Sequence, residues 1–318
     1  MNIRKAAHAG YCWGVERALD IVTETATANP GETVRTLGPI IHNPHVVQSL
    51  EEKGVQSVDS LEEMAAGTVI IRTHGVPPAT YEQARVKGLQ VVDATCPLVN
   101  LVQNKARQLV EEGYHLVIFG NPRHPEVIGT IGHAGGRATV IERPEDVRNV
   151  RLPKRVGVVV QTTQETELLA LLLSHLAARC KELKVFNTIC NPTIERQEAA
   201  RELAREVEVV IVVGGKNSSN TRHLAEVCRE EGATAYHIEE ARELDPAWVR
   251  GVEQVGVTAG ASTPGWLMDQ VVERLARDDF PVKVDHFAYD AVSYLQALRA
   301  GHYHAPDYPC FKYGLKAD

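Results

Sequence analysis

Three cysteines, Cys12, Cys96 and Cys190, each stand in a turn where a strand is expected to end and an amphipathic stretch begins. Thiolates are soft ligands suited to zinc and to iron–sulfur clusters. No CxxC pair occurs in the chain, so the commonest zinc-knuckle and ferredoxin spacings are absent and folding must gather the ligands. Three thiolates leave one position open, on a tetrahedral zinc or on one iron of a cubane. A structural zinc normally closes with four ligands. A cubane held by three keeps one iron free to bind substrate as a Lewis acid, and the same cluster delivers electrons. The other cysteines differ in setting. Cys180 (LAARCKEL) and Cys228 (LAEVCREE) read as mid-helix residues packed in the core, and Cys310 lies in the C-terminal tail.

The elements that must position the trio repeat along the chain. Aligning Cys96 with Cys190 brings DATCPLVNLVQNKARQLVEEGYHLVIFG into gapless register with NTICNPTIERQEAARELAREVEVVIVVG, so Gly120 and Gly214 each stand 24 residues beyond their cysteines. Each segment reads as a strand end, a cysteine in the turn, an amphipathic helix and a strand buried on both faces. His124-Pro125-Glu126 and Ser218-Ser219-Asn220 both begin 28 residues past their cysteines and open a second helix. A later pair of apolar strands, VGVVV and VGVTA, ends in Gln161-Thr162-Thr163 and Ala261-Ser262-Thr263. The first third follows the same plan with small length changes: Cys12, then His42-Asn43, then Thr73-His74-Gly75. The expected organisation is three similar α/β lobes, 1–96, 97–190 and 191–284, with a tail over 285–318. In parallel sheets ligands sit beyond the carboxyl ends of the strands, and all the unusual polar groups occupy that edge. Three such units with mainly parallel sheets around a pseudo-threefold axis, a trefoil-like α/β fold, bring three cysteines to one point.

Composition narrows the class. At 318 residues with 44% hydrophobic content the chain suits two or three α/β units with sizeable cores. The net charge of −7, with Lys and Arg dispersed, argues against nucleic acid as a partner. No apolar run approaches the roughly 18 residues a membrane helix needs, and the first residues lack a signal-peptide core. A cytoplasmic protein is expected, so the six cysteines are not read as a disulfide set.

The sequence resembles the IspH/LytB family of 4-hydroxy-3-methylbut-2-enyl diphosphate reductases. The resemblance rests on GYCWGV (10–15), GPIIHN (38–43), THGV (73–76), DATCPLV (93–99), HPEVIGT (124–130), QTT (161–163), TIC (188–190), ERQEA (195–199), GGKNSSN (214–220) and VTAGAST (257–263), which span nearly the whole chain in order. It implies a three-lobed α/β fold around one 4Fe–4S cluster held by Cys12, Cys96 and Cys190. It also implies reductive dehydroxylation of the allylic diphosphate to isopentenyl and dimethylallyl diphosphates, the last step of the non-mevalonate (methylerythritol phosphate) pathway, with reduced ferredoxin or flavodoxin as electron donor. His42, His74, His124, Ser218, Ser219, Asn220 and Ser262 are carried over as diphosphate ligands, Glu126 as the proton source, and Thr162 as the residue that orients the substrate hydroxyl and relays the proton.

Physical chemistry gives these assignments content, and rivals. A diphosphate needs many donors, of the kind that turn amides, hydroxyls and cations provide, and it should raise the pKa of a neighbouring histidine. A carboxylate beside a diphosphate and a cluster is unfavourable unless it holds a proton, which suits Glu126 to general-acid work. The plain structural alternatives are a helix-start acid for Glu126 and an N-cap for the Ser-Ser-Asn run. At the level of function, the rivals are a quinolinate synthase-like three-lobed iron–sulfur enzyme and an iron–sulfur sensor without turnover. Cys310 is the residue that a folded-back tail would offer as a fourth thiolate.

Overall fold

The computed structural model describes residues 1–277. The expected tail, with Cys310, and the end of the third unit (278–284) lie outside the described residues. The described residues form three four-stranded sheets, and every ladder in them is parallel. The first contains β2 (Val34–Leu37), β3 (Gln56–Val58), β4 (Thr68–Ile71) and β5 (Gln90–Asp93) in the order β3-β2-β4-β5. The second contains β6 (His115–Phe119), β7 (Thr139–Ile141), β8 (Arg155–Val160) and β9 (Glu182–Val185) in the order β7-β6-β8-β9. The third joins β10 (Val209–Val213), β11 (Thr234–Ile238) and β12 (Gln254–Ala259) to the N-terminal β1 (Asn2–Lys5), in the order β1-β12-β10-β11. Read from the opposite edge, the third order repeats the other two.

Placing β1 in the third sheet departs from a simple division at residue 96. Asn2 lies opposite Gln254 and Lys5 opposite Val257. The four residues NIRK are all half-buried, without the alternation that would assign them to one face, so local pattern could not tell which sheet they complete. The arrangement has a consistent logic. The outermost strands β5, β9 and β1 each run directly into a cysteine turn: Cys96 after β5, Cys190 after β9 and Cys12 after β1. Each sheet therefore delivers its cysteine to the helix that starts the next lobe, and the N-terminal strand closes the ring.

Parallel strands require crossovers, and helices supply them: α1 (Trp13–Ala28), α2 (Pro44–Glu52), α3 (Pro78–Val86), α4 (Pro97–Glu111), α5 (Pro125–His133), α6 (Thr166–Ala177), α7 (Asn191–Glu206), α8 (Ser219–Glu230) and α9 (Gly265–Leu275). Proline at the first helical position of α2, α4 and α5 presets φ where no amide bond is lost. Apolar clusters lie on both faces of each sheet, so central strands such as VVIVV of β10 are buried throughout. Cys228 is buried within α8 as expected. Cys180 is not mid-helix: α6 stops at Ala177, and Cys180 lies beyond it against the second lobe's core. Just past the helix end, the Arg179 guanidinium donates to the carbonyls of Val147 and Val150. No helix among the described residues is long and apolar enough to cross a membrane.

Two glycines show how closely helix and sheet approach in the repeated unit. A Cβ at Gly157 of β8 would meet Leu109 of α4 at 2.7 Å, and one at Gly256 of β12 would meet Leu203 of α7 at 2.8 Å. Both leucines stand 13 residues past their cysteines. These glycines thus set the seating of the helices that begin at Cys96 and Cys190. Gly157→Val and Gly256→Val should each destabilise the protein by about 1–3 kcal/mol through overpacking. Gly265→Ala, where the added atom meets open space, should be neutral or stabilising by up to about 1 kcal/mol. Denaturant unfolding midpoints check all three.

Candidate active site

The three cysteines occupy the same local position three times over. Cys12, Cys96 and Cys190 are the N-cap residues of α1, α4 and α7, all with extended backbone and none with a side-chain capping bond. Their thiols are thus free of the usual N-cap duty and line one cleft of about 790 Å³. Three helix N-termini, each with a partial positive charge, open toward it. Gly14 is required by this convergence, because a Cβ there would meet Cys96 Sγ at 2.8 Å and Cys12 Sγ at 3.9 Å. Burial raises the Cys96 thiol and pushes Cys190 up to about 11, so as thiols both hold their protons near neutral pH. Three soft sulfurs free of capping bonds, facing a shared space at helix N-termini, fit a sulfur-bound metal cofactor.

Arg196 of α7 ties two of these turns together. Its guanidinium donates to the carbonyls of Gly10 and Tyr11, just ahead of Cys12, at 2.8 Å each, and to Pro192 O, just past Cys190, at 2.9 Å. In the sequence it was only one residue of the ERQEA motif. A fixed fork of donors that saturates three carbonyls is what arginine provides and lysine does not.

On the same cleft stand His42, His74 and His124. Their ring centroids are 4.3–5.4 Å apart, and one nitrogen from each lies within 4.8 Å of the others. Both ring nitrogens of His42 and Nδ1 of His74 are buried without a hydrogen-bond partner. His124 caps α5: its Nδ1 accepts from the Glu126 amide at 3.3 Å, which leaves the proton on Nε2 as a donor. Burial lowers His42 to about 4, with Arg72 and Arg222 adding to the effect, and lowers His124 to about 3, with His42 and Arg222 adding. His74 is held well below its ordinary value for the same first reason, burial. The three imidazoles are thus neutral, and any rise that a bound diphosphate causes starts from this depressed base. Such a trio could also take a cation, but the positive field of Arg72 and Arg222 opposes one and favours an anion. Arg72 is itself largely desolvated, which lowers its own pKa, and its Nε has no partner. Neither arginine stood out in the sequence. Arg72 directly precedes Thr73-His74, and Arg222 lies two residues past Asn220; that proximity was the available signal.

The remaining polar tips line the cleft too, with unequal duties. Ser218 caps α8 by accepting from the Thr221 amide at 3.3 Å, which is the plain structural role. Ser219 Oγ accepts from Gln161 Nε2 at 3.4 Å. Ser262 Oγ donates to His42 O at 3.2 Å. Asn220 differs: only 4% exposed, it has no partner for either side-chain amide atom. A buried amide left unpaired costs free energy, so it is the tip most in need of a ligand.

Glu126 and Thr162 form the most constrained pair. Glu126 is 2% and Thr162 6% exposed. The Thr162 amide donates to Glu126 Oε1 at 2.7 Å, and Thr162 Oγ1 lies 2.7 Å from Oε2. Burial pushes the Glu126 carboxyl up to about 7, and the bonds from Thr162 pull it down only in part. Since Oε1 is occupied by an amide that can only donate, the proton of the neutral acid sits on Oε2, facing the Thr162 hydroxyl. The folded-state value lies above the ordinary one, so this group's contribution to stability is full below about 4.5 and lost as pH rises through about 7. Trp13, 46% exposed, lines the same cleft.

Comparison with known proteins follows the same lines. The profile of the family described as LytB protein matches residues 3–276. The 4-hydroxy-3-methylbut-2-enyl diphosphate reductase of Geobacter sulfurreducens is 50% identical over 279 residues, covering 88% of this chain and 98% of the relative. The reductase of the same name from Aquifex aeolicus is 48% identical over 278 residues, covering 86% and 96%. Two solved structures match in backbone. One, described as (E)-4-hydroxy-3-methyl-but-2-enyl diphosphate reductase, the terminal enzyme of the non-mevalonate pathway, is 46% identical with a TM-score of 0.62, covering 86% of this chain and 99% of its own. The other, E-1-hydroxy-2-methyl-but-2-enyl-4-diphosphate reductase from Plasmodium falciparum, is 26% identical with a TM-score of 0.85, covering 95% and 99%. The less identical sequence is the closer in shape.

The neutral histidines generate a measurable expectation. An anion that binds against them raises their pKa values, so the complex holds more protons than its separated parts and affinity gains from protonation as pH falls toward the raised values. Calorimetry of inorganic pyrophosphate binding at pH 6, in two buffers of different ionisation enthalpy, should show net proton uptake. The uptake should be smaller in His42→Asn than in the wild-type protein. Equal uptake in both would remove His42 from the anion site.

Proposed function

Because the chain belongs to the LytB protein family, we propose that it reductively removes the allylic hydroxyl of 4-hydroxy-3-methylbut-2-enyl diphosphate, giving isopentenyl and dimethylallyl diphosphates as the last step of the non-mevalonate pathway. It is an oxidoreductase of isoprenoid synthesis, and that membership sets aside the quinolinate synthase-like alternative. The observation that carries the mechanism is the buried Glu126–Thr162 pair beside three thiols and three imidazoles in one cleft. A sensor without turnover has no use for such a buried proton path.

The cofactor we propose is one 4Fe–4S cluster held by Cys12, Cys96 and Cys190. When bound it supplies electrons and a Lewis-acidic iron at the position that no cysteine fills. Reduced ferredoxin or flavodoxin is the electron donor we infer. A cytoplasmic setting suits a cofactor whose thiol ligands must stay reduced.

The chain's own residues do the rest. Asn220, with both amide atoms free, and the histidines, with unpartnered nitrogens, bind the diphosphate oxygens. Ser218 and Ser219, whose hydroxyls only accept within the fold, donate to the same anion, and Ser262 joins them by giving up its bond to His42 O, while Arg72 and Arg222 supply background positive charge. Replacing a hydroxyl by hydrogen consumes two electrons and two protons and releases water. Glu126 holds one of those protons on Oε2 at neutral pH because it is buried. Thr162 Oγ1 receives it and donates its own to the departing hydroxyl, so a single hydroxyl both orients the substrate and relays the proton. The Thr162 amide keeps Oε1 occupied throughout, which fixes the direction of transfer.

Two expectations follow from these roles. Cys12→Ser, Cys96→Ser and Cys190→Ser should each lose iron or bind it labilely, because oxygen suits iron–sulfur sites poorly. Gly14→Ala, which crowds Cys96 Sγ, should share the defect in milder form, whereas Cys228→Ser should keep its iron. Iron counting with Mössbauer spectra on anaerobically purified protein reads this, and iron loss confined to Cys228→Ser would refute the trio. Glu126→Gln keeps the size and the bond to the Thr162 amide but cannot donate the same proton. It should retain cluster and substrate binding yet turn over about a hundred- to ten-thousand-fold more slowly. In single-turnover mixing of the reduced protein with substrate, near-normal product release would return Glu126 to a purely structural role at the start of α5.

A further inference from the structure

A second group of ligating side chains lies outside the cleft, where the second lobe meets the third. Glu165 stands at the start of α6, while His223 and Glu226 project from α8. One ligand atom from each lies within 4.8 Å of the other two. The His223 Nδ1 is bonded to Thr163 O at 2.5 Å, so Nδ1 carries the proton and Nε2 presents its lone pair toward Glu226 Oε2, 4.0 Å away. A histidine whose far nitrogen donates to a backbone carbonyl is in the orientation and tautomer of a metal ligand.

The observation that points to an occupant is Glu165. It is 2% exposed, makes no side-chain capping bond at the helix it precedes, and its carboxylate has no hydrogen bond or ion pair among the described residues. Nearby Arg201 pairs with Glu167 and Glu231 and offsets the Glu165 charge only in part. A buried carboxylate without a partner is expensive. Only a proton or a cation relieves it, and Glu226 and Glu230 worsen its position: burial and these two carboxylates together push Glu165 up to about 7. Burial also lowers His223, so the imidazole stays neutral and offers no compensating charge.

We propose that Glu165, His223 and Glu226 form a binding site for a divalent transition-metal cation, of the zinc class, that joins the second and third lobes. One imidazole and two carboxylates favour zinc over magnesium or calcium, which take oxygen ligands alone. Bonds of about 2.0–2.2 Å fit inside a group of this size once the side chains draw in. The Glu226 side chain is 54% exposed, which gives the ion an entry path and room for a water as fourth ligand. The metal would hold α8 against the 163–165 segment, directly after Thr162.

The test uses the anaerobic, cluster-loaded protein dialysed against zinc, with zinc and iron counted on the same sample and thermal unfolding followed alongside. The wild-type protein should retain one zinc per chain with its iron unchanged, and its unfolding temperature should rise. Glu226→Gln and His223→Asn should each bind zinc at least about tenfold more weakly and lose the thermal gain. Glu165→Gln removes the buried charge while keeping the shape. Without zinc it should be at least as stable as the wild-type protein, and with zinc it should show no gain. Equal zinc retention in the wild-type protein and all three variants would overturn the proposal, as would failure of the wild-type protein to retain zinc.

Discussion

Three helix N-termini are aimed at one point, and the chemistry of the cleft rests on that convergence. Each of α1, α4 and α7 brings unpaired amides and a partial positive charge to a cysteine that makes no capping bond of its own. The field favours anions, whether thiolates or phosphates. The surroundings reinforce it: Arg196 satisfies the carbonyls of Gly10 and Tyr11, and burial, with Arg72 and Arg222 adding to it, holds the histidines neutral. Parallel sheets make the geometry inevitable, because their carboxyl-end edges are where the next helix must begin.

Several of the buried polar groups that the described residues leave unsatisfied gather in and beside the cleft. Both nitrogens of His42, Nδ1 of His74, Nε of Arg72 and both amide atoms of Asn220 are buried without partners, and Glu126 keeps a carboxyl in a setting that disfavours its charge. Such groups cost stability, and their concentration at one place marks it as built for a ligand rather than for the fold. The capped and bonded residues beside them, Ser218 and Ser262, show how the same chain treats polar groups that it can satisfy itself.

Much of this was legible in the residues. The gapless register of the Cys96 and Cys190 segments gave the lobes and the cysteine turns, and the matched offsets gave the tips, because both signals are local and periodic. What escaped the sequence depends on long-range placement. β1 carries no pattern that would assign it to the third sheet. Arg72 and Arg196 look like any exposed arginine until folding turns them inward, and Arg222 stays exposed yet adds its charge to the histidine cluster. Cys180 read as helical because LAARCKEL carries no glycine or proline to mark the end of α6 at Ala177. The division of labour within Ser218-Ser219-Asn220 was likewise invisible, since one residue of the run must cap the helix and only the backbone decides which.

The closing of the ring by β1 sets an order on biosynthesis. A ribosome adds residues one after another, and domains commonly fold as they emerge. Here Asn2–Lys5 are made before their partner Gln254–Ala259, so the strand that leads to Cys12 must wait, unpaired, while both following lobes are completed. Contacts of such sequence separation are slow to form. The second lobe's sheet, built entirely from neighbouring segments, can assemble on the growing chain. The cysteine constellation cannot be complete until the third sheet accepts its last strand, so any cofactor delivered to it arrives after translation of all three lobes.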